Sequence, residues 1–196
     1  MRLLRITDLH GNRKHMDWVL QVASEFDHIA CSGDALGKDF DRRAFRGWSG
    51  KLSGNFSFSP GNHDEALDPH PIGVIAHMSG WSIESADPFV GPACFGPLTI
   101  AVYHYPPDGS LVAGDDGDAL LALALRRGLG PAILLCGHAH DPMSWHTVIG
   151  RTVVFNPGKG DDSVSAPRHI VIDTTGGFAE LRDNLGVLDQ VSFGLD

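Results

Sequence analysis

Short apolar runs that close on polar residues recur along this chain, separated by segments with helical spacing. Arg2 to Thr7 is mostly apolar and ends on a polar residue, which predicts a strand. Asn12 then offers a helix cap, and Met16, Val19, Leu20 and Ala23 make one apolar face on a helix reaching about Glu25. His28 to Ser32 predicts a second strand, closed by Gly33-Asp34. Asp41 to Leu52 predicts a second helix, and Asn55 to Ser59 a third strand before the turn Pro60-Gly61-Asn62.

The middle of the chain is less regular. Ala66 to Met78 reads as helical, although Pro69 and Pro71 disrupt its start. Trp81 to Glu84 and Leu98 to His104 read as strands. Pro106 to Asp118 reads as an acidic loop, solvated, with Asp115 or Asp116 capping a helix from Ala119 to Arg127. The loop directly follows His104, so it is also a candidate border of a substrate site. Ala132 to Cys136 predicts a buried strand ending at Gly137. Two hairpin patterns follow, one turning at Gly150-Arg151 and one at Gly176-Gly177. The tail beyond Asn184 has no assigned element. No repeat, linker or composition break interrupts the pattern, so the expectation is one domain, residues 1–196, with a hairpin-rich C-terminal part at about 145–183.

Composition narrows the function. With 196 residues, 42% of them hydrophobic and 20% charged, the chain is ordinary globular material. Its net charge of -9 and lack of basic runs argue against a nucleic-acid surface. An acidic enzyme still binds an anionic substrate when bound cations supply local positive charge. Cys31, Cys94 and Cys136 fit no zinc-ribbon or disulfide spacing, and Cys31 and Cys136 lie in apolar runs, so buried free thiols are expected. Neither a signal-peptide pattern nor an apolar run of membrane-spanning length is found, so no membrane association and a cytoplasmic location are expected.

Five polar clusters carry the candidate chemistry, and four of them directly follow an apolar strand. They are Asp8-Leu9-His10, Gly33-Asp34, Gly61-Asn62-His63-Asp64, His104, and Gly137-His138-Ala139-His140. In open α/β sheets the carboxyl ends of strands line the ligand crevice, so these distant clusters are able to meet. Their donors are carboxylate, amide and imidazole groups without thiolates, a set that suits manganese, iron, zinc or nickel. Asp8, His10, Asp34, Asn62, His104, His138 and His140 are too many for one tetrahedral zinc, and they suffice for two cations if one carboxylate is shared. His15, His28, His70, His77, His146 and His169 are expected to be structural or exposed, with His15 on the surface of the first helix.

Taken together, these motifs resemble the calcineurin-like metallophosphoesterase family, in its small bacterial form. The resemblance runs from residue 8 to 140, and Asn156-Pro157-Gly158 is similar to a later turn of such members. It implies a four-layer α-β-β-α sandwich of two packed mixed sheets flanked by helices. It implies two divalent cations, Mn²⁺ first, with Fe, Ni or Zn as alternatives. One is held by Asp8, His10, Asp34 and His140, the other by Asp34, Asn62, His104 and His138, with Asp34 as the bridge. His63 faces the phosphate as general acid, and Asp64 orients His63 or a neighbouring ligand. Two departures stand out: tyrosines flank His104, and the loop after Asp34 reads Ala35-Leu36-Gly37 without the polar residue common in the family.

The implied activity is hydrolysis of a small phosphate ester or nucleotide by a hydroxide held between the two cations. Phosphodiesterase action is the first reading, and phosphomonoesterase or nucleotide pyrophosphohydrolase action the second. A non-catalytic binding scaffold of the same fold is a further alternative. A homo-oligomer is compatible with the sequence.

Overall fold

The computed structural model describes residues 1–38, 40–52, 54–64, 76–78, 80–85, 98–111 and 117–194. Among these, two six-stranded sheets pack face to face. The first has the order β12-β11-β10-β1-β2-β3. Its strands are β1 (Arg2–Ile6), β2 (His28–Cys31), β3 (Phe56–Phe58), β10 (His169–Asp173), β11 (Phe178–Asp183) and β12 (Gly186–Ser192). The second has the order β4-β5-β6-β7-β9-β8. It is built from β4 (Ala76–Met78), β5 (Trp81–Ser85), β6 (Thr99–Val102), β7 (Ile133–Leu135), β8 (His146–Ile149) and β9 (Thr152–Phe155). Both sheets are mixed. β1, β2 and β3 run parallel, as do β5, β6, β7 and β9, and antiparallel hairpins complete each sheet.

Alternation along the strands sorts the core into three layers. Leu3, Ala30, Ile100, Val102, Ile133, Leu135, Val153, Phe155, Ile170 and Ile172 face the space between the sheets. Leu4, Ile6, Ile29 and Cys31 face the other way, onto α1 (Arg13–Val22) and α2 (Arg42–Ser49), where Met16, Val19, Phe45 and Trp48 meet them. Ala101, Leu134, Cys136 and Val154 face α3 (Ala119–Arg126) through Leu121 and Leu125. Helix, sheet, sheet, helix is the expected four-layer order. Because the parallel strands are covered on both faces, they read as continuous apolar runs.

Each helix starts on a capping side chain that accepts otherwise unpaired backbone N–H groups. Asn12 caps α1 and Asp41 caps α2. Trp48 Nε1 donates to the Met16 carbonyl at 3.0 Å and ties the two helices together. The cap of α3 is Asp118, which accepts from Leu121 N at 2.9 Å and from the Tyr103 hydroxyl at 2.6 Å. The expected caps Asp115 and Asp116 lie outside the described residues, and Asp118 replaces them.

Three further expectations change. The helical reading of Ala66 to Met78 gives way at its end, where Ala76–Met78 is a strand paired antiparallel with β5; the rest lies outside the described residues. The unassigned tail forms β12, an edge strand paired with β11. His15 is buried rather than on the surface, packed where α1 meets the loop at Asp161 and Asp162. Cys31 and Cys136 are buried free thiols as expected, and burial pushes the Cys136 thiol up to about 12.

Candidate metal centre

Every candidate ligand stands just beyond the carboxyl end of a parallel strand. Asp8 and His10 follow β1, Asp34 follows β2, Asn62 and His63 follow β3, His104 follows β6, and His138 and His140 follow β7. Backbone hydrogen bonds zip the loops together as the strands diverge. Asp8 N donates to the Gly33 carbonyl at 3.0 Å, His10 N to Asp34 at 2.8 Å, and Gly137 N to His104 at 2.8 Å.

Among the described residues, the non-glycine residues with positive φ are Asp8 (51°), His10 (44°), Asp34 (52°) and His138 (67°). All four are sequence-predicted ligands. Left-handed backbone at such residues costs on the order of 1–3 kcal/mol each and persists where the surroundings over-determine it. Here the turned backbone lets side chains from separate loops converge on one place. Two glycines make the space. A Cβ on Gly33, at φ 96°, would stand 2.5 Å from His104 Nδ1, and one on Gly137 would stand 2.7 Å from Asp8 Oδ2.

Three donor groups result, each with its ligand atoms within 4.8 Å of one another: Asp8, His10 and His140; Asp34, His104 and His138; and His10, Asp34 and His63. Asp34 links the halves. Its Oδ2 lies 3.9 Å from His10 Nε2, and its Oδ1 lies 3.6 Å from His104 Nε2. Asn62 belongs to the second half, because its Oδ1 lies 3.1 Å from His104 Nε2 and 3.0 Å from His138 Nδ1. The structure therefore brings all seven predicted ligands into one place. His63 stands beside them, exposed. Its backbone N–H donates to Asp34 Oδ1 at 2.9 Å, and its ring meets that of His10 edge-on with centroids 4.9 Å apart.

Asp64 has a different environment from the one expected. Its carboxylate accepts from Gly61 N at 2.8 Å, Leu36 N at 2.9 Å and Ala35 N at 3.4 Å, and among the described residues no imidazole bonds to it. It staples the loop after Asp34 to the turn that carries Asn62 and His63. Burial pushes its carboxyl up from the ordinary value.

The donor set fits divalent cations. Asp8 is buried and neither of its carboxylate oxygens has a hydrogen-bond partner, an arrangement that is costly unless a positive charge is supplied. Burial pushes its carboxyl up, but the His140 ring, with Nε2 3.5 Å from Oδ1, and the nearby Arg5 charge outweigh that, and the group lies below its usual range. His104 is decisive for the second half. Its Nδ1 is 2.7 Å from the Ser32 carbonyl, an acceptor, so Nδ1 carries the proton. Nε2 then presents a lone pair to the oxygens of Asn62 and Asp34, and a cation is what reconciles the three. In the first half, His10 Nε2 and His140 Nε2 face each other at 3.0 Å. Desolvation lowers His10, whereas the Asp8 carboxylate raises His140.

Three supporting residues emerge from the fold, of which the sequence reading had named only Asn156, as part of a turn. Ser32 positions His104. Asn156 is buried and donates from Nδ2 to the Gly137 and Ala139 carbonyls at 2.9 and 3.2 Å, which fixes the backbone between His138 and His140. The motif Asn156-Pro157-Gly158 after an apolar strand was the available signal for it. Arg5 is fully buried in β1, donates to Ser32 Oγ at 2.8 Å, and is held down to about 10 by desolvation. A buried arginine inside an apolar run offers no pattern to read.

A sequence profile for the calcineurin-like phosphoesterase superfamily domain matches residues 1–176. The chain belongs to that superfamily. Solved structures resemble this calcineurin-like phosphoesterase over nearly its whole length. YfcE, a phosphoesterase from E. coli, is 17% identical with a TM-score of 0.54, covering 99% of this chain and 100% of its own. A structure described as a novel archaeal phosphodiesterase is 14% identical with a TM-score of 0.57, covering 96% and 100%. Vacuolar protein sorting 29 from Cryptosporidium parvum is 15% identical with a TM-score of 0.55, covering 97% of each chain. At these identities the likeness establishes the fold. No curated protein matches this calcineurin-like chain in sequence. None of its described helices is long and apolar enough to cross a membrane.

Proposed function

We propose that this chain is a dinuclear metallophosphoesterase that hydrolyses small phosphate esters, diesters ahead of monoesters and nucleotide pyrophosphates. One observation carries the reading. The two oxygens of Asp34 face opposite halves of the donor set, Oδ2 toward His10 and Oδ1 toward His104. A carboxylate in that position is suited to be shared by two cations, and its negative charge screens them from each other.

Asp8, His10 and His140 would complete one cation site, and Asn62, His104 and His138 the other. Two divalent cations, when bound, neutralise charge on the phosphoryl oxygens and lower the pKa of a water to near neutral. The chain's own residues supply the rest. Ser32 and Asn156 hold the imidazoles in place. His63, on the exposed side of the ligands, is placed to donate a proton to the leaving oxygen, and imidazole has a suitable pKa near pH 7. The intact donor set and the presence of His63 favour catalysis over a purely scaffolding role. Mn²⁺ is the first choice of metal for this oxygen-and-imidazole set, with Fe, Ni or Zn as alternatives.

The test is to strip the protein with chelator, reload it with Mn²⁺, Ni²⁺, Zn²⁺ or Fe²⁺, and assay diesters, monoesters and nucleotides. Hydrolysis restored by at least one metal is expected, and none with any metal and any ester contradicts the proposal. His63→Gln refines it. At unchanged metal content the variant should lose about 100-fold or more on a poor leaving group and much less on nitrophenolate. Equal losses would remove His63 from the proton-donor role.

A further inference from the structure

The sequence shows no cluster of lysine or arginine beside the metal motifs to receive a phosphate dianion, yet the fold brings one lysine there. Asn156 Oδ1 accepts from Gly158 N at 2.9 Å, and the next backbone N–H, that of Lys159, donates to the His140 carbonyl at 2.8 Å. Gly158 has φ 71°, and a Cβ there would stand 2.7 Å from the His140 oxygen, so the loop lies directly on the backbone of a ligand. From that anchor the Lys159 side chain reaches Asp162, with Nζ 2.8 Å from Oδ2. The Asp162 carbonyl in turn accepts from Asn12 Nδ2 at 2.9 Å, and Asn12 follows His10 by two residues. Lys14 Nζ holds the same loop through the Ser163 carbonyl at 2.9 Å. These contacts hold the Lys159 loop against the backbone of His140 and tie Asp162, the partner of the ammonium, to Asn12.

Arg5, the cation beside Asp8, is fully buried behind the ligands. The Lys159 side chain is partly exposed, at 25%, and its partner Asp162 is more than half exposed. An ion pair open to water on its Asp162 side is screened, so a phosphate oxygen with a formal charge is able to compete with Asp162 for the ammonium.

We infer that Lys159 is a specificity-determining residue of this centre, which recognises the second negative charge of a phosphate monoester and sets how much monoester the enzyme accepts beside diester. The inference rests on the phosphoesterase reading above. A diester offers one negative charge, which the cations of the centre neutralise. A monoester near neutral pH carries a second charge, and a mobile ammonium at the rim is suited to meet it by a charge-assisted hydrogen bond. Asp162 is the competing anion that holds Lys159 while no such group is present.

The experiment compares nitrophenyl phosphate with bis-nitrophenyl phosphate on the Mn²⁺-loaded enzyme and on Lys159→Met, Lys159→Arg and Asp162→Asn. Lys159→Met should lower kcat/KM for the monoester by about tenfold, mainly through KM, and lower it for the diester by less than about threefold. Lys159→Arg should restore most of the monoester activity, and Asp162→Asn should raise it. Metal content and unfolding midpoint, measured alongside, should match the wild type, because a structural defect would move both substrates together. Equal losses on the two esters, or no loss on the monoester, overturns the assignment. A wild-type enzyme that hydrolyses neither ester overturns the phosphoesterase reading instead.

Discussion

The two halves of the proposed metal centre, which would share Asp34, are built differently. The half made by Asn62, His104 and His138 is anchored in the core through His104, while Asn62 is exposed. His104 is fully buried, its tautomer is set by the Ser32 carbonyl, and Asn62 touches both imidazoles. The half made by Asp8, His10 and His140 is open. The His140 side chain is about half exposed at 47%, the two imidazole nitrogens face each other, and the Asp8 oxygens lack partners. One half is held by protein whether or not a cation is bound. The other has its polar atoms arranged so that a cation is needed to satisfy them. Preorganisation comes from the neighbours that orient a ligand, and here those neighbours are unevenly distributed.

The largest effect is expected where the halves join. Asp34→Asn keeps the shape but removes the shared charge, and it should weaken metal binding at both halves and lower activity by more than about 100-fold. Loss of metal from one half alone, measured by elemental analysis after dialysis, would show that the carboxylate serves only that half.

Next is a paired substitution that separates structure from ligation. His104→Ala removes a buried ring and takes one hydrogen-bond partner each from the Ser32 carbonyl and Asn62, so the metal-free protein should lose about 1–3 kcal/mol of stability in urea unfolding. His140→Ala, at an exposed position, should leave the metal-free unfolding midpoint nearly unchanged while still lowering metal content. Equal destabilisation by the two changes would erase the contrast.

The smallest effect concerns acid sensitivity away from the centre. His28 is buried beside Ser57, with 2.9 Å between Nε2 and Oγ, and desolvation lowers its pKa to about 4. The folded state keeps this ring neutral, while the unfolded chain takes up a proton below its ordinary value of 6.5. Stability is therefore complete above that value and falls as pH drops toward about 4. The expected slope is about 1 kcal/mol per pH unit. Replacing His28 with Gln should flatten this slope in urea titrations at pH 6.5 and 5.5 without altering metal content. An unchanged slope would place the acid lability elsewhere, in the open half of the centre.

Much of this architecture is legible in the sequence, for reasons the structure makes specific. Parallel strands buried on both faces leave unbroken apolar runs such as Ala132 to Cys136, and the polar residues that end them mark the ligand crevice. Asp8, Asp34 and His138 could be found because each sits beside a motif partner or a glycine. His104 has neither, and only its place at the end of the apolar run from Leu98 marks it. What escaped reading depends on tertiary contact. β12 is an edge strand with Val187 and Leu188 exposed, so its pattern carries no burial signal. The inward position of His15 is set by the distant loop at Asp161 and Asp162. Asp64 and Lys159 take their roles from backbone groups far away in sequence, which no side-chain motif encodes.

The most direct test of the shared centre is anomalous X-ray scattering from Mn²⁺-loaded crystals. Two manganese peaks are expected, one among Asp8, His10 and His140 and the other among Asn62, His104 and His138, with the Asp34 carboxylate coordinating both. A single peak, or two peaks of which Asp34 touches only one, would contradict the account.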